Sequence, residues 1–331
     1  MSIKYTLETV GHPSIYNPQS RKLLIEFEVP SSIVANNAPG IIILIPGYGG
    51  NIYSNVYKKM RNVFADENNF ITVQCNYFGS EFMQKEVLKE TIAYFNEMGP
   101  IQAMDNLIAL KCVKDYCDEN EIQYNSKIVV AYGHSHGAYL AHLMNVLMPE
   151  VLSCIIDNSG WLFPDHINKS RYLYRVSETG DPVLVAQIDY LIKNIIMDRE
   201  IYNLRIMYPK INETRIISFH GVDDTLISVN DKVNFLCGVR NTSIELIGKS
   251  RIDNKIFNSS THGLGADFLE LFRYVLRNYK LESQNTVLKF RDRIFETQYA
   301  SYKIDNEDGI PILYCTPKYD YQYDKLAEYD N

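Results

Sequence analysis

The chain lacks the features that define several large classes of protein. None of its six cysteines lies in the paired C-x-x-C spacing of a zinc site. No stretch approaches the ~20 apolar residues that a membrane span needs, and the amino terminus has no signal-peptide pattern. Lys and Arg number 33 against 40 Asp and Glu, so the net charge of −7 provides no basic surface for nucleic acid. We therefore expect a cytoplasmic protein with reduced cysteines, no membrane span and no nucleic-acid partner.

Short apolar runs rich in β-branched residues alternate with longer stretches of helical periodicity. This alternation predicts an α/β fold with a mostly parallel central sheet and helices on both faces. Residues 23–29 alternate polar and apolar side chains and are expected to form an edge strand, whereas residues 41–45 are continuously apolar and are expected to be central. Further strands are predicted at 70–76, 127–132, 151–156, 215–219 and 243–247, and helices at 101–117, 138–148 and 266–279.

One long segment interrupts the alternation of strands and helices. Residues 161–212 contain no clear buried strand and are rich in aromatic side chains. They are expected to form an inserted cap above the candidate nucleophile described below, between core segments 1–160 and 213–280.

The carboxyl-terminal residues 281–331 form a Tyr-rich extension. Within it, residues 298–304 and 310–315 are β-like and flank a turn-rich linker, which predicts a hairpin. Residues 319–324 alternate Tyr with polar residues and are compatible with either a further strand or a polar tail.

The pattern Gly133-His134-Ser135-His136-Gly137 lies between a predicted buried strand and a helix without a breaker. In that context G-x-S-x-G is typical of a nucleophilic serine on a sharp strand-to-helix turn. Both glycines are needed because a Cβ at either position would collide with neighbouring backbone. The helix amino terminus would stabilise a developing oxyanion. We expect Ser135 to be the nucleophile and the N–H of His136 to be one oxyanion donor.

A second glycine-rich loop, Pro46-Gly47-Tyr48-Gly49-Gly50, follows the first central strand. A loop at that position can turn a backbone N–H towards the same oxyanion. Tyr48 is the expected donor and Gly49 the alternative. Phosphate binding is disfavoured because neither G-K-[ST] nor a helix-opening G-x-G-x-x-G follows.

The stretch Phe219-His-Gly-Val-Asp-Asp-Thr-Leu-Ile227 follows another apolar strand. It resembles the H-G-x-x-D-x-x-[VI] segment that carries the triad acid in many α/β-hydrolases, especially serine esterases and relatives of prolyl oligopeptidase. The match places the acid on Asp224, with Asp223 as the competing choice. Asp157 is a minority alternative, because in some members the acid follows an earlier strand. A role for Asp157 in lining the pocket beside Trp161 is favoured.

His262 is the only histidine that follows Asp224. The resemblance implies the chain order Ser, acid, His, so His262 is the expected base. An imidazole with an ordinary pKa near ~6.5 can accept the serine proton at neutral pH and return it to the leaving group. A metal site at His134, His136 and His142 is not expected, because the two neighbours of an elbow serine point away from each other.

Residues 53–61 and 74–83 resemble a bacterial hydrolase-like family of unknown function. Together the resemblances imply a bacterial serine hydrolase that cleaves a small carboxylic ester through an acyl-enzyme, without a cofactor or metal. Two alternatives stay open: transfer of the acyl group to a sugar or amine, and a non-catalytic binding or scaffolding role on the same fold. Oligomeric state and acyl chain length are not predicted.

Overall fold

The structure is a computed structural model that describes residues 1–31, 37–84, 88–209, 211–306 and 309–319. Its strands are β1 (Ile3–Gly11), β2 (Arg21–Val29), β3 (Gly40–Ile45), β4 (Phe70–Cys75), β5 (Val129–His134), β6 (Cys154–Asn158), β7 (Arg171–Val176), β8 (Pro182–Ile188), β9 (Arg215–Gly221), β10 (Thr242–Ile247), β11 (Arg293–Glu296), β12 (Ala300–Asp305) and β13 (Ile312–Pro317). Its α-helices are α1 (Asn55–Asp66), α2 (Pro100–Glu119), α3 (His136–Leu147), α4 (Ile192–Ile195), α5 (Leu204–Met207), α6 (Val229–Cys237) and α7 (Phe268–Asn278).

The central sheet has eight strands in the order β1-β2-β4-β3-β5-β6-β9-β10. From β4 to β10 all neighbouring strands are parallel, whereas β2 is antiparallel to both β1 and β4. The predicted α/β architecture with a mostly parallel sheet is therefore confirmed. The prediction that residues 23–29 form an edge strand is wrong, because β1 pairs along the full length of β2 and is itself the edge.

Helices cover both faces of this sheet and bury its continuously apolar strands. On β3, Ile41, Ile43 and Ile45 face the cluster that includes α2 and α3, while Ile42 and Leu44 face the cluster formed with α1 and α7. A strand buried on both faces needs apolar residues at every position, which explains its unbroken apolar run. None of the helices in the described part of the chain is long and apolar enough to cross a membrane.

The segment predicted as a cap has two different parts. β7 and β8 form a separate antiparallel ribbon whose large apolar side chains, among them Tyr174 and Val176, are mostly exposed. The later part instead packs into the main core through buried residues such as Tyr190, Tyr202 and Leu204. Only the ribbon therefore stands outside the core.

The predicted carboxyl-terminal hairpin is present as β12 and β13, with Tyr302 opposite Cys315. β11 adds a third strand that the sequence analysis did not predict. The small sheet is anchored to the rest of the molecule: the Leu313 N–H donates to His12 Nε2 at 2.8 Å, and the buried Tyr302 hydroxyl donates to Asp198 at 3.0 Å. Of the predicted strand or tail at 319–324, all but Tyr319 lies outside the described residues.

Candidate active site

Ser135 lies on the turn between β5 and α3 with φ 53° and ψ −115°, a backbone conformation that non-glycine residues rarely adopt. A Cβ on Gly133 would overlap Ala138 Cα, and one on Gly137 would overlap the carbonyl oxygen of Ile45. Both neighbours are backbone atoms that cannot move aside. The glycine spacing is thus what lets the serine occupy this strained turn.

Three side chains from separate loops form a continuous hydrogen-bonded row. Ser135 Oγ lies 2.7 Å from His262 Nε2, and His262 Nδ1 lies 2.8 Å from Asp224 Oδ2. The other carboxylate oxygen of Asp224 accepts the N–H groups of Leu226 at 2.8 Å and Ile227 at 3.1 Å. Burial alone would raise the pKa of Asp224, but the bonds and charge of His262 outweigh it and hold that pKa below its usual value. The row can transfer a proton from Ser135 to an imidazole held by a carboxylate.

Asp223 faces away from this row. Its side chain is exposed and accepts a hydrogen bond from Ser260 Oγ at 2.6 Å, while its N–H donates to the Ser260 carbonyl at 2.9 Å. Asp223 therefore joins the two loops that carry Asp224 and His262. Of the two adjacent carboxylates, the structure brings only Asp224 to the imidazole.

The glycine-rich loop after β3 lies beside the elbow. The backbone N–H groups of Tyr48, Gly49 and His136 have no acceptor among the described residues, so each is free to donate to an incoming oxygen. The guanidinium carbon of Arg171 lies 4.3 Å from the centroid of the Tyr48 ring. The Tyr48 ring also packs against the His166 ring, with centroids 5.7 Å apart. The insertion thus contacts the residue expected to supply the second oxyanion donor.

Comparison with known proteins identifies the fold. An acylaminoacyl peptidase bound to Z-Gly-Gly-Phe-chloromethyl ketone superposes with a TM-score of 0.54 at 14% identity, covering 86% of this chain and 42% of that one. The Pyrococcus horikoshii acylaminoacyl peptidase gives 0.51 at 12% identity, covering 88% and 43%. The chain has the α/β-hydrolase fold.

A smaller neighbour with this fold matches nearly end to end. Est1E from Butyrivibrio proteoclasticus with bound ferulic acid has a TM-score of 0.49 at 16% identity, covering 77% of this chain and 93% of that one, and a second Est1E structure gives 0.48 at 14% identity, covering 77% and 92%. The family model described as "Protein of unknown function (DUF2920)" matches residues 81–168, which include the elbow. No curated protein matches the chain in sequence.

Asp157 occupies the position at which some α/β-hydrolases carry the acid, but here it is fully buried. Its carboxylate contacts Lys232 Nζ at 2.6 Å, His142 Nε2 at 3.1 Å and Ser218 Oγ at 3.0 Å. Burial would raise the pKa of Asp157, but the Lys232 charge outweighs it and lowers that pKa. The prediction that Asp157 lines the pocket is therefore wrong. Its carboxylate instead contacts the buried Lys232 and accepts the N–H of Gly160, the residue before Trp161.

Trp161 lines a cleft next to the loop that follows Asp224. This cavity has a volume of about 340 Å³ and lies between the start of the insertion, with Trp161 and His166, and the loop after Asp224, with Leu226 and Ile227. Its walls combine aromatic and aliphatic side chains with charged ones, among them Arg205 and Asp231.

His134, the residue before Ser135, is packed between the glycine-rich loop after β3 and the loop that carries His262. A Cβ on Gly47 or Gly263 would meet its ring at 2.6 Å or 2.8 Å. Burial, with a smaller effect of the His262 charge, lowers the pKa of His134 to about 4, so the ring is neutral at pH 7. No group of three or more His, Cys, Asp or Glu side chains in the described ranges is arranged to hold a metal ion.

Proposed function

We propose that the chain is a serine hydrolase that cleaves a carboxylic ester through an acyl-enzyme. The observation that supports this most strongly is the hydrogen-bonded row Ser135–His262–Asp224 on a strained elbow. That arrangement of nucleophile, base and orienting acid is the one that activates a serine hydroxyl in unrelated hydrolases.

In the proposed reaction, Ser135 Oγ attacks the ester carbonyl carbon as His262 Nε2 takes the hydroxyl proton. The oxyanion accepts hydrogen bonds from the N–H groups of His136 and Tyr48, or Gly49. His262 then gives the proton to the leaving alcohol, and the C–O bond breaks. Water then attacks the acyl carbon while His262 takes a proton from it. The bond to Ser135 Oγ breaks, Oγ recovers the proton from His262, and the acid is released. Asp224 keeps the imidazole in the tautomer whose Nε2 can accept the proton.

We propose an ester rather than a peptide substrate. The chain spans less than half the length of the acylaminoacyl peptidases that share its fold, so their peptidase activity is not carried over to it. An insertion that begins at Trp161 takes part in the cleft wall instead. In our proposal residues 161–212 act as the cap of this cleft, between the core segments 1–160 and 213–280.

The test is turnover of 4-nitrophenyl acetate and butyrate by the wild type and by Ser135→Ala. We expect the variant to lose at least about 10³-fold in kcat, because the nucleophile acts together with its base. Ser177→Ala, at a partly buried serine in the turn of the ribbon, is the matched control and should retain full activity. Equal turnover by wild type and Ser135→Ala would contradict the proposal.

The same assay separates hydrolysis from acyl transfer. With glycerol or a primary amine added, mass spectrometry of the products gives the ratio of free acid to transferred acyl group. Hydrolysis predicts free acid as the main product at millimolar acceptor. A main product acylated on the acceptor would assign the chain to the acyltransferases.

A further inference from the structure

The residue that follows strand β6 lies where the segments carrying the three triad residues come together. Ser159 is fully buried, and its N–H donates at 3.0 Å to the carbonyl of Phe219, on the strand that leads to the Asp224 loop. The preceding residue, Asn158, accepts the N–H of Ser135 through its carbonyl at 2.7 Å. Two consecutive residues therefore hold both the turn of the nucleophile and the strand that precedes the acid.

The side chain of Ser159 makes the third connection, to the loop of the base. The N–H of Gly263, the residue directly after His262, donates to Ser159 Oγ at 3.0 Å. Since an N–H can only donate, the serine oxygen is the acceptor in this bond. Its own proton is donated to Asn158 Oδ1 at 3.2 Å. The hydroxyl is thus used as both acceptor and donor, and it connects the histidine loop to the segment that holds Ser135.

Ser159 makes these contacts from a backbone conformation that favours glycine. Its φ is 58°, in the left-handed region that residues with a side chain rarely adopt. Glycine would take the same angle without strain, but it has no hydroxyl. Strained residues persist where the surrounding structure demands them, and they cluster at functional sites. The strained backbone therefore points to a requirement for the hydroxyl.

The segment that carries Ser159 is itself firmly held. The next residue, Gly160, donates its N–H to Asp157 Oδ1 at 2.7 Å, and its carbonyl accepts from Lys232 Nζ at 2.8 Å. These two charged side chains are fully buried and contact each other at 2.6 Å. A peptide held on both sides by a buried ion pair has little freedom to move, so Ser159 can serve as a fixed point for the histidine loop.

The histidine loop is thereby fixed from two sides. Towards the acid, Ser260 Oγ donates to Asp223 at 2.6 Å, and the Ser260 carbonyl accepts the N–H of Asp223 at 2.9 Å. Towards the nucleophile, the Gly263 N–H bonds to Ser159. The first pair sets the imidazole against the carboxylate, and the second bond sets it against the serine hydroxyl.

We propose that Ser159 is a positioning residue of the triad: its hydroxyl holds the His262 loop at the distance from Ser135 that proton transfer requires. The 2.7 Å between Ser135 Oγ and His262 Nε2 is within the range in which a base accepts a proton directly. A displacement of about 1 Å would break that bond and can cost about 10²-fold in rate. The inference rests on the proposed function and deepens it, because it adds a buried residue that acts on the base through the backbone of Gly263.

The kinetic test removes the hydroxyl in two ways, with 4-nitrophenyl butyrate as the substrate. Ser159→Gly also removes the backbone strain, whereas Ser159→Cys keeps the strain and substitutes a weak acceptor. In both variants we expect kcat to fall by about 10-fold or more with KM nearly unchanged, because the imidazole is misplaced and the cleft is not. A loss of kcat in only one of two folded variants would point to strain or packing and overturn the proposal. Should one variant fail to fold, the other decides the test.

Ser153→Ala is the matched control. Ser153 directly precedes β6, at the opposite end of the strand from Ser159, and is also buried; its Oγ accepts the N–H of Val129 at 2.9 Å. Its removal likewise leaves a buried N–H without its acceptor, so this variant should lose stability, measured as the urea midpoint, but keep the wild-type kcat and KM. Ser159 variants that lose stability alone, with kcat unchanged, would reduce the hydroxyl to a structural role and overturn the proposal.

A spectroscopic test needs no turnover. The ¹⁵N NMR shift of His262 Nε2 reports its hydrogen bond with Ser135 Oγ, and its signal is assigned by its absence in His262→Gln. Ser135→Ala gives the shift of the unbonded nitrogen. In the Ser159 variants the signal should move towards that reference, and in Ser153→Ala it should stay at the wild-type position. A wild-type shift in both Ser159 variants would overturn the proposal, whatever happens to kcat.

The two tests separate the positioning role from the proposed function. If the wild type hydrolyses esters and the Ser159 variants match it in kcat and in the nitrogen shift, the hydrolase stays and the positioning role falls. If no ester is hydrolysed but the nitrogen shift moves in the Ser159 variants alone, the positioning role stays and the hydrolase falls.

Discussion

Asp223 and Asp224 are adjacent in sequence but face different partners. Asp224 is 8% exposed and contacts the imidazole of His262, whereas Asp223 is exposed and contacts Ser260. The register of the sequence motif pointed to Asp224 for the same position. The motif could not indicate the role of Asp223, which links the loop of Asp224 to the loop of His262 through its hydrogen bonds with Ser260.

Replacing these carboxylates one at a time should separate their roles. Asp224→Asn leaves the imidazole in the wrong tautomer and should lower kcat by about 10⁴-fold. Asp223→Asn should lower kcat by about 10-fold or less, because it disturbs only the positioning of a loop. The measurement is turnover of 4-nitrophenyl butyrate, with circular dichroism to show that each variant is folded. If Asp223→Asn lost most of its kcat while Asp224→Asn stayed active, Asp223 and not Asp224 would be the acid.

Asp157→Asn serves as a further control with a different readout. It should affect kcat by about 10-fold or less but leave the buried Lys232 without its counter-charge, which costs about 3 kcal/mol or more of unfolding free energy. Loss of kcat comparable with that of Asp224→Asn, in a protein of normal stability, would instead make Asp157 the acid.

Among the secondary-structure elements, the start of the insertion bears directly on the site. Arg171 at the base of β7 packs on Tyr48, whereas Arg175 on the same strand is exposed on the ribbon. A two-stranded ribbon has little stability by itself, so its base must be held by contacts with the core. We infer that the Arg171–Tyr48 contact aligns the oxyanion loop with the cap.

Arg171→Ala and Arg175→Ala make a matched pair of variants. We expect Arg171→Ala to lower kcat/KM for short esters by about 10-fold, because the Tyr48 loop loses a cation–π contact and its N–H is less well placed. Arg175→Ala should behave like the wild type. Ester turnover and chain-length preference are measured for both. Unchanged values for Arg171→Ala would argue against a role of this segment as the cap.

On the scale of the whole molecule, the central strands were predictable because burial on both faces demands unbroken apolar runs, as in β3. β1 was not predicted, although apolar and polar residues alternate over residues 3–8 as expected of an edge strand with one exposed face. The surroundings of the buried His136 side chain were not predictable either. Its partners Gln102 and Trp161 lie on other elements, and only the fold brings them together.

Buried histidines should make the whole fold sensitive to acid. Burial lowers the pKa values of His12 and His136 to about 3 and that of His134 to about 4. Each stays neutral when folded but takes up a proton near pH ~6.5 when unfolded, so stability is full above that pH and falls below it. Burial raises the pKa of Glu97 to about 7, which acts in the opposite sense and offsets about one proton.

Net uptake of protons by the buried histidines on unfolding predicts that the unfolding free energy falls as the pH is lowered from ~6 to ~4.5. Urea midpoints measured across this range test the slope. His136→Gln removes one of these histidines, so the unfolding free energy should fall less steeply as the pH is lowered, even if the variant is less stable at every pH. A urea midpoint independent of pH over this range would show that the histidines are not buried in the neutral form.

If Ser135 is an activated nucleophile, its hydroxyl should react with an electrophile that mimics an ester. The most direct measurement is labelling of the wild type with a fluorophosphonate probe, read by intact mass and peptide mapping, with Ser135→Ala as the control. We expect one adduct per chain, on Ser135, and none on the variant. A folded wild type that takes up no label, or that is labelled equally in Ser135→Ala, would contradict it.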